Sequence, residues 1–560
     1  MKKIILFLLF VSGFAQAQQY PSPTYHNLTV TGTASFASAP TVGAAPIFPT
    51  VATNAALTAL STATVTEVTR LSFAASGDAP PLSYYASGSA CSLNAGAGDN
   101  GSQVKSADNK CWLAQFPPGA LDVREWGVKA DGATDNTTAL QAAWTYGGTV
   151  NTDILLPSSN YTNYVKFSSL TAPAGTVGAG ASAQGPLSAI KGQGVGQTVL
   201  KSTVTGSTCA LTFNAPSATY SDAAMNRVLS GFQLISTASA GSGICLNQIT
   251  GMALSNFSVQ GFTTGILALD AIRIRMDNPQ FILNQNGINA TTTVDSNPNQ
   301  WVIVNPYAVG QSASTFLFTH AADIDIYGGD FESNNTANNA GDATIQMNGN
   351  PLNGQKGLSV FGGYYEVNGG NADFLFDQLA GDGSGSHFIS GVEEGRISST
   401  TFVTNAVQLI NNNGGSGQTN IDIKGSAFWS QSPYVPNAAR PYIGVAAPGT
   451  VNYHITGYDS NYFLKNVEAP AICTINTACM NLPDGHIEEW GSATAASSGT
   501  GFPVAVTWPL ACPTAVDSVV TTALNGGAPY ATGVGTSTVT GTTLYSATAS
   551  TAINWRMICH

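Results

Sequence analysis

Three glutamates occupy one recurring place in this sequence. Segments aligned on a Gly or Asn that ends an apolar strand read LSGFQL, LSNFSV, MDNPQF, IVNPYA, YGGDFE, FGGYYE, ISGVEE, IKGSAF and ITGYDS. The anchors are Gly231, Asn256, Asn278, Asn305, Gly329, Gly363, Gly391, Gly425 and Gly457. The third residue after each is Leu234, Val259, Phe281, Ala308, Glu332, Glu366, Glu394, Phe428 and Ser460. Stacked as parallel strands, equivalent positions lie about 4.8 Å apart per rung, so neighbouring glutamates would sit about 5 Å apart and the outer pair about 10 Å. Two carboxylates about 5–5.5 Å apart suit retaining glycoside hydrolysis, and roughly 6.5–9.5 Å suits inversion. Stacked like charges repel, so one carboxyl keeps its proton and serves as acid while another serves as base. Asp330 lies two residues before Glu332 and shares its face in a regular strand. The expected catalytic set is therefore Glu332, Glu366, Glu394 and Asp330. The doublet Glu393-Glu394 leaves the register open: if Glu393 faces outward, the alignment is off by one there. A solvated polar face, or a seat for a bound cation, is the competing reading of the same column.

Aromatic residues accompany the acids. Tyr364 falls on the Glu366 face, and Trp429 and Tyr434 follow about a rung later. Sugar rings pack their apolar faces on such side chains while their hydroxyls meet carboxylates and amides. These three are the expected substrate-binding residues. Arg396 and Lys356 are close in sequence and keep lyase chemistry open beside hydrolysis. No G-x-S-x-G elbow and no Walker loop occurs. With no C-x-x-C and scattered histidines, no zinc site and no cofactor are expected, and His387 reads as a loop residue.

The elements that would position these groups follow from the repeat. Neighbouring anchors are 22–34 residues apart, a period that means a solenoid whose coils bury their apolar strands only by stacking. Gly and Asn tolerate the left-handed backbone that a sharp bend needs. The segment IKGQGVGQTVL, residues 190–200, is expected to open the stack. Only 9% of the 560 residues are charged, against roughly 25% in an ordinary soluble domain. Hydroxyls, amides and backbone must then keep the surface wet, which suits stacked β-structure. The net charge of −12 argues against nucleic acid as a partner and against adhesion to an anionic membrane.

Residues 1–17, MKKIILFLLFVSGFAQA, have the charged, apolar and small-x-small parts of a secretory signal, too short in its apolar run to span a bilayer. Residues 18–75 read as a stalk with weak helical spacing over Ala55–Leu71, and residues 76–118 as a small β-rich connector. In residues 123–144 a Gly/Asp turn precedes a helix that Asp135 can cap, with Leu140 and Trp144 on one face. The β-helix is expected over residues 119–480 and a β-sandwich over 481–560. The eight cysteines permit the sequence-local pairs 91–111, 209–245, 473–479 and 512–559 in an exported chain.

Two resemblances sharpen this picture. Trp126-Gly127-Val128-Lys129, Asp131-Gly132, Thr134-Asp135 and Ala139–Ala143 closely resemble the entry segment of pectate-lyase-superfamily β-helices. That resemblance implies an all-β fold, a right-handed parallel β-helix plugged at its N-terminal end by the helix. Glu489-Trp490-Gly491, Phe502-Pro503 and Asn554-Trp555-Arg556, with LTVTGTASF near the start, resemble the tip and stalk of phage tail fibres and tailspikes. This second resemblance implies a homotrimer, a tail baseplate as the attachment point and a host surface polysaccharide as the target. The expected function is a tailspike-like depolymerase acting outside the cell. A receptor-binding fibre that holds glycan without cutting it, and a secreted bacterial hydrolase or lyase, are the alternatives. The signal-like segment departs from the tailspike pattern: either it is not cleaved, or the chain is a secreted bacterial relative.

Overall fold

The computed structural model describes residues 41–559 apart from short interruptions, the longest at 174–182, 397–404, 431–442, 457–477 and 508–515. The signal-like segment, Tyr434, Cys473 and Cys512 lie outside the described residues. From Leu121 to Thr456 the chain winds as a right-handed parallel β-helix. A typical coil runs through Ala322–Tyr327, bends, continues as Asp330–Glu332, bends again and returns along Ala343–Asn348. The first two strands of each coil join one sheet of 21 described strands, and the returning strands form a second of 10. The first bend falls on a left-handed residue in coil after coil: Asn256, Asn278, Asn305, Gly328, Gly362 and Gly391, with φ between 48° and 74°. Where Asn fills it, the amides join into a ladder, Asn278 Nδ2 donating to Asn256 Oδ1 at 3.1 Å and Asn305 Nδ2 to Asn278 Oδ1 at 3.0 Å.

Strand alternation sends one residue in two inward, and those residues form a continuous apolar core from Leu121 to Ile423. Phe257, Phe281, Phe316, Phe331 and Tyr365 run up it ring against ring, ending in a parallel stack of Phe331 on Tyr365 at 4.6 Å. The stack opens earlier than residues 190–200. Ile190–Lys191 pairs on its lower side with Ile154–Leu155, which pairs in turn with Leu121–Asp122. Strands of two residues leave too little periodicity to be seen in sequence.

The helix Thr137–Thr149 covers the open end and buries Leu140 and Trp144. Asn136 takes the cap position, and Asp135 Oδ1 still accepts the Thr137 N–H at 2.9 Å. Asp131 ties its own turn through the Ala133 and Thr134 N–H groups. Ahead of the solenoid, Thr50–Val51, Glu67–Arg70, Leu82–Ser87, Cys111–Gln115 and Gln103–Lys105 make one five-stranded sheet. This sheet crosses residue 75, where the sequence places a boundary, because Glu67–Arg70 pairs antiparallel with Leu82–Ser87. The helix expected over residues 55–71 is confined to Asn54–Thr58. Val68 instead packs from a strand against Leu57 in the same small core. Arg70, fully buried, reaches the Glu125 carboxylate and carbonyl and the Asn54 side chain, joining this sheet to the solenoid entry.

Among the described residues two disulfides are formed, Cys91–Cys111 and Cys209–Cys245, as the sequence-local pairing anticipates. Beyond the solenoid, antiparallel sheets of five and three strands enclose a core of Ala495, Leu544, Ile553, Trp555 and Met557. No helix among the described residues is long and apolar enough to cross a membrane.

Candidate functional site

Glu332 and Glu366 are direct register partners on adjacent parallel strands, Asp330–Glu332 and Tyr364–Glu366. Both strands alternate half-buried, buried, half-buried. Phe331 and Tyr365 therefore point into the core while Asp330, Glu332, Tyr364 and Glu366 face outward. Parallel pairing puts the Glu332 and Glu366 backbones about 4.8 Å apart. Below them in the same column come Ile282 and Val309; above come Gly395 and Trp429.

Glu394 does not continue this column. Its register partner is Tyr365, and the next rung up is Phe428. It thus stands in the inward series Leu234, Val259, Phe281, Ala308, Phe331 and Tyr365. Glu393 takes the place above Tyr364, Asp330 and Tyr307. The cause is the glycine doublets. The bend N–H of Asn305 bonds Tyr327 O, that of Gly328 bonds Phe361 O, that of Gly362 bonds Ser390 O and that of Gly391 bonds Lys424 O. The true anchors are Gly328 and Gly362, each one residue before the anchor chosen from sequence. A slip of one residue changes the face, so the supposed column joins two outward positions, Glu332 and Glu366, to the inward register of Leu234, Val259, Phe281, Ala308, Glu394 and Phe428. The side chains of Glu393, Glu394 and Trp429 lie outside the described residues.

The outward groups feel one another. Burial first, then the Glu366 charge, raises the Asp330 carboxyl above its ordinary range. Burial again leads for Glu332, with the charges of Asp330 and Glu366 adding to it. Asp330 Oδ1 is buried and has no hydrogen-bond partner among the described residues. The Tyr364 hydroxyl donates to Glu366 Oε2 at 2.9 Å, which fixes that carboxylate on the face it shares with Tyr364. Tyr307, one coil below Asp330, has its phenol raised by burial and then by the charges of Glu332 and Asp330. The cluster thus holds carboxyls biased toward protonation beside one braced by a phenol. That asymmetry is what acid–base work on a single bond requires.

The backbone bends sharply after each carboxylate, with φ 52° at Ser333 and 56° at Val367. A β-branched residue is rare in that region, so neighbouring contacts must hold it. Among the described residues, no group of three or more His, Cys, Asp and Glu side chains is arranged to hold a metal ion. His387 is no loop residue. It lies in the strand Gly385–Ser390, buried, its Nδ1 accepting the Leu358 N–H at 3.1 Å and its ring 4.2 Å from Phe376. On the strands that precede the bend, Tyr327 and Phe361 stack outward at 4.9 Å. The sequence reading passed over both because they fall just before the glycines used as anchors.

No curated protein sequence matches the chain. Among solved structures, it is similar to the enzymatically active domain of bacteriophage CBA120 tailspike protein 2, at 11% identity over 88% of this chain and 83% of that one, with TM-score 0.49. The Acinetobacter phage vB_ApiP_P1 tailspike protein is similar at 12% identity over 91% of this chain and 97% of that one, with TM-score 0.47. Pantoea stewartii WceF, described as a glycan biofilm modifying enzyme with a tailspike-like parallel β-helix fold, gives 11% identity, coverage of 92% and 71%, and TM-score 0.43. Residues 481–559 match the family described as tail fiber protein gp53-like, C-terminal. Residues 481–559, which follow the parallel β-helix, are thus similar to that tail-fibre C-terminal family.

Proposed function

We propose that this protein is a tailspike-like depolymerase that binds a cell-surface polysaccharide and hydrolyses its glycosidic bonds on the outward face around Glu332 and Glu366. The observation that carries the reading is the direct pairing of these two residues across adjacent coils. A backbone spacing of about 4.8 Å lets two such side chains bring their carboxyl groups to the roughly 5–5.5 Å of the retaining geometry, with one carboxylate as nucleophile and the other as acid and then base. Glu332 and Asp330, biased toward the protonated form, are suited to give a proton to the leaving oxygen. Glu366, braced by Tyr364, is suited to attack. Trp429, one coil above Gly395 in the Glu366 column, is at a place where it can extend the sugar-binding surface, and Tyr364 borders the acids directly.

Replacing Glu366 or Glu332 by Gln keeps size and removes the charge and the transferable proton. Turnover, read as new reducing ends on a susceptible capsule or surface polysaccharide, should fall roughly 10²–10⁴-fold. Full activity in both variants would sink the proposal. The tail-fibre match over residues 481–559 favours a second reading, a fibre that holds glycan without cutting it. In that case the parent chain yields no reducing ends, while Tyr364→Ala or Trp429→Ala lowers adsorption to cells. The two formed disulfides favour maturation in an oxidising compartment, as a secreted or exported relative would require.

A further inference from the structure

A ladder of buried amides runs behind the outward column. Asn284, Gln311, Asn334 and Asn368 each lie two residues after an outward residue: Ile282, Val309, Glu332 and Glu366. All four are buried. Each grips the coil beneath it in the same way, through the carbonyl of an inward residue and the N–H three residues further on. Asn284 bonds Val259 O at 3.0 Å and the Phe262 N–H at 3.0 Å. Gln311 bonds Phe281 O at 2.8 Å and the Asn284 N–H at 2.9 Å. Asn334 bonds Ala308 O at 3.0 Å and the Gln311 N–H at 3.2 Å. Asn368 bonds Phe331 O at 2.9 Å and the Asn334 N–H at 3.0 Å. The two gripped points flank the outward residue and the bend after it. In the lower three coils the flanked outward residue is Gln260, Ile282 or Val309. In the fourth it is Glu332.

We infer that Asn368 is a positioning residue that fixes Glu332 against Glu366 by holding the backbone on both sides of it. The inference rests on Glu332 and Glu366 being the working pair. Asn368 itself lies two residues after Glu366, so its two bonds connect the backbone behind one carboxylate to the backbone on either side of the other. A third link runs the same way, the Ser333 N–H donating to Glu366 O at 2.9 Å. The spacing of the pair is thus set inside the core. The titratable groups that face Glu332 are Asp330 on its own strand, Tyr307 on the strand below and Tyr364 and Glu366 on the strand above, and a backbone held on both sides keeps the three carboxyls together.

The ladder supplies its own controls. Asn284→Ala removes the same pair of backbone bonds three coils lower, where no carboxylate is held. Asn368→Gln should rescue, because Gln311 already makes the same pair of bonds at its own rung. Asn368→Ala and Asn284→Ala should both lower the melting temperature, the former also losing the bond that Asn368 Oδ1 accepts from Asn334 Nδ2 at 3.0 Å. Only Asn368→Ala should move the side-chain titration of Glu332, followed by carbon NMR on glutamate-labelled protein and assigned with Glu332→Gln. The shift expected is a few tenths of a pH unit or more toward lower pH, as the carboxyls part. On a cleaved polysaccharide, kcat should fall roughly 10–100-fold with KM nearly unchanged, the usual result of misplacing a reacting group by about 1 Å. If both alanine variants lose stability and leave the Glu332 titration in place, Asn368 is only part of the scaffold and the inference fails. The titration needs no substrate, so it decides the matter even for a chain that only binds. Full turnover in Glu366→Gln and Glu332→Gln would overturn the functional reading alone.

Discussion

Glu393 and Glu394 are neighbours in sequence, yet their backbones stand in columns of opposite face. Glu393 lies above Tyr364 and Asp330, whereas Glu394 lies above Tyr365 and Phe331. The outward face is the one that holds acids raised first by burial and then by neighbouring charge. Replacing Glu393 by Gln should therefore change turnover or its pH profile, while Glu394→Gln should act on stability first. Reducing-end assays on both variants, each with a melting curve, check the assignment, and the opposite pattern would restore the column read from sequence. Glu366→Gln carries a related expectation. A carboxyl raised in the folded state contributes stability that is lost as pH rises through its folded value. Removing the Glu366 charge lowers that loss for Asp330 and Glu332, so the variant should be no less stable than the parent at neutral pH. The change should be small, because both side chains are only half-buried and burial, not the Glu366 charge, leads both shifts.

At the scale of the element, His387 shows what a strand does to a titrating side chain. The strand Gly385–Ser390 carries it inward, and burial lowers its pKa from 6.5 to about 3. Its ring stays neutral, with Nδ1 accepting from the Leu358 backbone. An unfolded His387 takes up a proton near pH 6.5 and the folded one only near pH 3. Between those values the unfolded chain binds the extra proton, so stability falls as pH falls across that window. His387→Gln keeps an acceptor for the Leu358 N–H and cannot titrate there. Melting temperatures measured from pH 7 to pH 4 should decline less steeply in the variant than in the parent. Parallel curves would mean that His387 is not buried as a neutral ring. The same strand pairing decides where the stacked aromatics can stand. Tyr327 and Phe361 stack because they are register partners, as do Phe331 and Tyr365 on the opposite face of the wall.

For the whole molecule, the C-terminal domain is the place to look for assembly. Among its described residues the apolar core is five side chains, while Val520 is 60% exposed in a strand and Val534 and Tyr545 are also open. A module with so small a core usually needs partners or staples. A homotrimer joined through this tip is the expected state. Sedimentation of the full chain at micromolar concentration should give three times the 57.5 kDa chain mass. Val520→Lys should shift the balance toward monomer. A parent chain that sediments as a monomer would remove the trimer and leave those residues to some other surface.

Several features were legible from residues alone because they are local or periodic. The recurrence of Gly and Asn before short apolar runs gave the solenoid, since a left-handed bend restricts the residue types that fit it. Leu140 and Trp144, one helical turn apart, had to share a face. Asp330, Glu332 and Tyr364 could be placed outward relative to Glu366 by alternation within strands of three residues. Glu394 could not be placed that way. With Gly328-Gly329 and Gly362-Gly363 each offering two candidates for one bend, the sequence holds two registers that differ by one residue. Only inter-coil hydrogen bonds, such as Gly328 N–H to Phe361 O and Gly362 N–H to Ser390 O, choose between them. The amide ladder was hidden for a related reason. Asn284, Gln311, Asn334 and Asn368 look like loop residues in a chain rich in polar amides, and their role exists only where the next coil brings a backbone carbonyl and N–H within reach.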